Sequence, residues 1–207
     1  MAAWDIDALV DLTIETSVGW GLRLAVLIDG RSGAGKTTLA QDLSARLEAT
    51  LARPVQTVSL DDCYPGWHGL AVGAAAVPRM LASFEPGYRR YDWAEGRQTD
   101  WVELDATLPI VIEGSGALTP KSAPPATMRI WMDGTEAWRR QAAASRDGDV
   151  NDWWDDWAAQ EQAHILADKP NALCDCTLIA SSHGLAFLFG PPSPSAMKWR
   201  WFQRSYP

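Results

Sequence analysis

Eight consecutive residues, Gly30-Arg31-Ser32-Gly33-Ala34-Gly35-Lys36-Thr37, satisfy the phosphate-binding pattern Gly-x-x-x-x-Gly-Lys-Ser/Thr. The chemistry follows from the residue types. Glycines let successive backbone N–H groups converge on phosphate oxygens without Cβ clashes. Lys36 can reach the outer phosphates of a nucleotide, and the Thr37 hydroxyl can complete the shell of a magnesium ion. Together with Thr38, these residues form the expected cofactor-binding set, and the pattern points to a nucleoside triphosphate.

A glycine loop does this only when a strand delivers it and a helix receives it. Here Leu22-Arg23-Leu24-Ala25-Val26-Leu27-Ile28-Asp29 is an almost unbroken apolar run with the length of a buried parallel strand. Leu39, Leu43 and Leu47 then recur at helical spacing. The start of that helix adds partial positive charge where the phosphates would lie.

The rest of the chain repeats this alternation. A short amphipathic helix is expected over 5–16, and strands over about 22–29, 54–60, 108–112, 128–132 and 174–180. Helices are expected from the loop to about 50, near 73–84, over 135–145 and over 151–167, with 63–100 otherwise irregular. Strands alternating with helices predict an α/β fold with a doubly wound, parallel, five-stranded sheet. No linker divides residues 1–207, so a single domain is expected. Asp29, Asp61, Glu113 and Asp133 each end an expected strand. In an open parallel sheet those ends line the ligand crevice, although each acid could instead cap a helix.

Bulk properties narrow the class. Hydrophobic residues make up 47% and charged residues 21%, as in a globular protein. The net charge of −8 lacks the basic face that nucleic-acid binding requires. The residues Met1-Ala2-Ala3-Trp4-Asp5-Ile6-Asp7 have no basic start followed by an apolar core, and no apolar stretch reaches membrane-span length. A cytoplasmic protein without membrane or nucleic-acid partners is expected. Three cysteines, Cys63, Cys174 and Cys176, read as reduced thiols. Cys174 and Cys176 are expected in one strand, on one face with Leu178. Of the twelve tryptophans, most read as core and some as a flat aromatic ligand surface.

Four segments, Ile28-Asp29-Gly30 through Thr37, Ser59-Leu60-Asp61-Asp62-Cys63-Tyr64, Tyr91-Asp92-Trp93 and Val111-Ile112-Glu113-Gly114, occur in the order seen in uridine kinases. The resemblance extends from about residue 22 to 180 and includes the wider group with phosphoribulokinase and pantothenate kinase. It implies a three-layer P-loop NTPase fold of nucleoside-kinase type with a small helical lid, and ATP with Mg2+ as cofactors. By the same resemblance Asp61 matches the catalytic acid that takes the proton of the attacking hydroxyl; Asp62, one residue on, is the rival. Tyr64 resembles a tyrosine lining the acceptor pocket, and Asp92 the acid binding ribose hydroxyls, with Arg90 beside it as a cation. Glu113 looks like the Walker-B-type acid, placing magnesium between Thr37 and Glu113.

The stretch 138–150, Trp138 to Val150, resembles the arginine-bearing lid, with Arg146 and Arg139 as phosphate clamps. Downstream, Glu161 falls in an apolar stripe where a carboxylate needs a partner, either a lid arginine or water. His164 reads as a packed histidine. The pyrimidine-reading side chains of uridine kinases have no counterpart in 66–100, and the tail of about 190–207 departs from the family. That tail reads either as a cover over the adenine side or as a homo-oligomer contact. The expected activity is transfer of the γ-phosphate of ATP to a hydroxyl of a nucleoside or related small metabolite. Its rivals are a kinase of a sugar, sugar phosphate or pantothenate-like acceptor, and a non-catalytic ATP-binding regulator.

Overall fold

Alternating burial within the first strand organises the whole molecule. In a computed structural model describing residues 6–20, 23–181 and 184–189, β1 spans Ala25–Gly30 and is buried along its length. Val26 and Ile28 point to one face of the sheet, Ala25 and Leu27 to the other. Both faces are covered, which is why this strand reads as a continuous apolar run.

β1 is flanked by β5 (Ile110–Glu113) and β6 (Met128–Gly134), both parallel to it. Outside them lie β2 (Gln56–Ser59) and β7 (Cys176–Ser181), again parallel. These are the five parallel strands expected. A sixth, β8 (Gly184–Phe189), runs antiparallel to β7 and closes the edge, giving the order β2-β5-β1-β6-β7-β8. This strand, Gly184–Phe189, lies beyond the five expected and adds an apolar run after Ser181.

On one face, α1 (Ile6–Trp20) and α2 (Lys36–Leu51) pack Leu9, Val10, Leu39, Leu43 and Leu47 onto Val26, Ile28, Val111, Ile130 and Leu178. On the other, α3 (Leu70–Met80) and α5 (Trp154–Asp168) supply Val77, Met80 and Trp157 against Leu27, Val58, Ile110 and Ile112. Between β6 and α5 runs α4 (Glu136–Asp147), which starts on the Thr135 hydroxyl and ends at Gly148. It spans most of the expected lid. Ala143, Val150 and Trp154 form a small core of their own there.

Residues 87–103, expected to be irregular, form a hairpin of β3 (Gly87–Asp92) and β4 (Arg97–Glu103). Its strands are mostly exposed and charged, so no apolar period announced them. A final short helix, α6 (Pro170–Leu173), also escaped notice and overturns the cysteine expectation. Cys174 caps α6 rather than entering β7, so it packs on the α5 face while Cys176 joins Leu178 on the other. Among the described residues no helix is long and apolar enough to cross a membrane. The tail of about 190–207 lies outside the described residues.

Candidate active site

The phosphate loop sits between the end of β1 and the start of α2, at the carboxyl edge of the sheet. Two of its glycines are demanded by backbone crowding. A Cβ on Gly30 would fall 2.1 Å from the Met132 carbonyl oxygen, and one on Gly33 2.0 Å from that of Arg139. Gly33 also has φ +75, in the left-handed region. Among the described residues, none accepts a hydrogen bond from the backbone N–H groups of Gly33, Gly35, Lys36 or Thr37. With no acid in the first turn of α2, that end keeps its positive character. Lys36 Nζ folds back onto the Arg31 carbonyl at 3.1 Å and the Ser115 hydroxyl at 3.3 Å. The result is an open nest of donors beside an ammonium, which suits a polyphosphate.

The four acids at the strand ends meet different fates. Glu113 is buried, and its Oε1 accepts from Thr37 Oγ1 at 3.1 Å and from Ser59 Oγ at 2.7 Å. Burial pushes its carboxyl up, against the opposing pull of the Lys36 charge. Thr37, Ser59 and Glu113 thus present hard oxygen donors at one point, a set suited to a small divalent cation. Asp61 lies exposed in the 3-10 turn Leu60–Asp62. The Trp93 indole N–H, from the turn of the hairpin, donates to the Asp61 carbonyl at 2.8 Å.

Asp29 and Asp133 do not line the crevice as expected. Asp29 is fully buried; it accepts from the backbone N–H groups of Gly30, Gly116 and Leu118 and pairs with His164 Nε2 at 2.9 Å. A central strand end enclosed by a following loop and a helix leaves it no route to a ligand. Asp133 accepts from its neighbour Gly134 N and lies 3.5 Å from Arg139 Nε.

Electrostatic neighbourhoods separate Asp61 from Asp62. The Asp61 charge acts on Glu113 and on Arg146. Asp62 acts on Tyr88, and both acids act on the Cys63 thiol, which burial chiefly pushes up to about 12. Arg90 belongs to this second group, its guanidinium against the Tyr88 hydroxyl. Arg146, half-exposed at the end of α4, is held by two 2.6 Å hydrogen bonds to Asp147. Those bonds, ahead of the fields of Asp61 and Glu113, keep its pKa high.

Three expected site residues are held by partners within the protein. Arg139 is 3% exposed and fully engaged. It donates to the Gly134 carbonyl (3.1 Å) and the Ser32 carbonyl (3.1 Å), with its guanidinium over the Trp154 ring. It braces the loop from behind rather than waiting as a free clamp. Tyr64 is 1% exposed and donates its hydroxyl to the Ser115 carbonyl at 2.8 Å, so it belongs to the core, edge-on to Trp157. Asp92 Oδ1 accepts from Ala94 N and Glu95 N, which makes it the cap of the hairpin turn.

Ser59, Ser115 and the role of Glu161 went unread. Ser59 faces Glu113 only because β2 pairs with β5 in that register. The Ser115 hydroxyl lies 2.9 Å from the Gly30 carbonyl and 3.0 Å from Glu161 Oε1. Glu161 takes Ser32 N rather than a lid arginine as its hydrogen-bond partner, at 2.6 Å. Among the tryptophans is a ladder in which Trp67 stacks on Trp153 (4.9 Å) and tilts against Trp93 (5.0 Å).

Solved structures place this fold. One described as a possible uridine kinase from Bacillus stearothermophilus is 22% identical with TM-score 0.57, over 83% of this chain and 96% of that one. A candidate fructose transport system kinase from Silicibacter sp. TM1040 is 18% identical with TM-score 0.56, over 81% and 91%. The YGR205w protein is 12% identical with TM-score 0.57, over 91% and 99%. The chain therefore has the α/β fold of P-loop kinase-like proteins. No protein-family model matches the sequence, and no curated protein does.

Proposed function

We propose that the protein is an ATP-dependent phosphotransferase that moves the γ-phosphate to a hydroxyl of a nucleoside or related small metabolite. The observation that carries this reading is the meeting of Thr37, Ser59 and Glu113 beside the phosphate loop, with Asp61 one turn away. A loop that only bound a nucleotide would have no use for an exposed acid in the field of Glu113 and Arg146.

In this reading the N–H groups of Gly33, Gly35, Lys36 and Thr37 bind the phosphates, and Lys36 leaves its resting carbonyl to reach them. Thr37 and Glu113 would hold Mg2+, with Ser59 fixing the Glu113 carboxylate; the ion would offset charge on the phosphate oxygens. Asp61 accepts the proton of the acceptor hydroxyl as its oxygen bonds the γ-phosphorus. The bond from that phosphorus to the bridging oxygen breaks and ADP departs. Arg146, in the field of Asp61 and Glu113, would offset charge on the transferring phosphoryl oxygens. Arg90, Asp92 and Trp93, all from the hairpin, would border the acceptor side, with Tyr64 packed in the core behind them.

The test is transfer of label from γ-labelled ATP with magnesium to a panel of nucleosides, pentoses, sugar phosphates and pantothenate-like compounds. A phosphorylated nucleoside supports the reading, and another product names a different acceptor class. Tight ATP binding with no transfer to any acceptor would replace it with a regulatory one.

A further inference from the structure

Two buried charges from different helices converge on the main chain of a single loop residue. Glu161 Oε1 accepts from Ser32 N at 2.6 Å, and Arg139 Nη1 donates to Ser32 O at 3.1 Å. The peptide groups on both sides of the Ser32 Cα are therefore gripped, one by α5 and one by α4. Glu161 is 2% exposed, and the same oxygen also takes the Trp157 indole N–H at 3.1 Å. On its other side it lies 3.0 Å from the Ser115 hydroxyl, which receives Lys36 Nζ.

Burying a carboxylate and a guanidinium costs several kcal/mol before any return, and an apolar pair of similar volume would stabilise as well. What an apolar pair cannot do is orient two peptide groups. Gly30, Gly33 and Gly35 all have positive φ, so the loop has ample conformational freedom of its own. Any population of other loop conformers lowers apparent affinity in proportion. The Arg139 backbone also meets the loop, since its carbonyl lies where a Gly33 Cβ would be.

We propose that Glu161 and Arg139 are positioning residues that act as a pair through the Ser32 main chain, holding the phosphate loop in its nucleotide-ready form before ligand arrives. This inference rests on the reading that the loop takes ATP, but not on the identity of the acceptor or on transfer itself.

The experiment measures ATP affinity by calorimetry with magnesium, together with thermal melting, for the native chain, Glu161→Ala, Glu161→Gln, Arg139→Ala and the double alanine variant. Glu161→Ala leaves Ser32 N–H unpaired and should weaken ATP binding roughly tenfold. Glu161→Gln keeps an acceptor oxygen and should recover most of the affinity. The double variant should bind about as weakly as the worse single one, because either loss frees the same residue. If transfer is observed, KM for ATP should rise while KM for the acceptor stays put. Should the alanine variants not fold, Glu161→Asp, one methylene short, should still lose affinity several-fold. Lower melting temperatures with native ATP affinity, or losses that multiply in the double variant, would overturn the pairing. A native chain that binds no ATP would overturn both this inference and the functional reading. Affinity losses as stated in a chain that never transfers phosphate would leave the inference standing and remove only the kinase.

Discussion

His164 donates to Asp29 at 2.9 Å from one ring nitrogen and meets Asp168 at 2.9 Å from the other, behind the phosphate loop. Asp29 in turn holds the backbone of Gly30, where the loop starts, and of Gly116 and Leu118, just past Glu113. A helix is thus tied to both halves of the site through one imidazole ring.

Burial alone would push the His164 pKa down, but the hydrogen bonds and charges of Asp29 and Asp168 outweigh it and hold it above the ordinary value. A raised histidine pKa stabilises the fold fully below about pH 6.5, the unfolded value, and the contribution is lost as pH rises through the folded one. Urea unfolding should therefore show stability falling from neutral pH into the alkaline range. In His164→Gln that slope should flatten, and His164→Ala should cost about 3–5 kcal/mol at pH 6. Equal slopes in native and Gln variants would dismiss the ion pair.

Asp61→Asn should lower the transfer rate by about 10²–10⁴ with ATP affinity retained, as removal of a general base does. Asp62→Asn should change it little, since the field felt at Glu113 and Arg146 is that of Asp61. Parallel measurement of rate and ATP binding decides; the reverse ranking would exchange the two roles.

Glu113→Gln separates function from stability. The folded state disfavours the charged form of this buried acid, so a neutral isostere should leave the melting temperature equal or higher. The same change should abolish the response of activity to magnesium. Ser59→Ala should raise the magnesium needed for half-maximal rate by about tenfold, the usual cost of losing a group that orients a ligand. Chelator should stop transfer and added magnesium restore it.

Tyr64→Phe distinguishes a core residue from a pocket lining. Loss of the bond to the Ser115 carbonyl should cost about 1 kcal/mol in denaturant unfolding. KM for the acceptor should not move, and a large rise would return Tyr64 to the substrate pocket.

The parts legible in the sequence were those set by neighbours in the chain. An apolar run, three glycines, Lys36 and a leucine period specify strand, loop and helix within about 25 residues. β1 and β5 announced themselves because burial on both faces makes them near-continuous apolar runs. The exposed hairpin of β3 and β4 gave no such signal, yet it delivers Trp93 to the Asp61 turn.

By itself the sequence determined a phosphate loop on an α/β sheet and set four acids at strand ends, with roles for Asp61 and Glu113 implied only by resemblance. Only the tertiary structure gave each acid its surroundings. Glu113 meets Thr37 because β5 lies beside β1, whereas Asp29, one strand over, is sealed by a helix 135 residues away. Arg139 and Glu161 likewise looked like lid and stripe residues, and became braces for Ser32 once α4 and α5 folded over the loop. Chain spacing sets which backbone shape forms. The role of a carboxylate depends on burial and on partners brought from distant sequence, and those are fixed only when the layers pack.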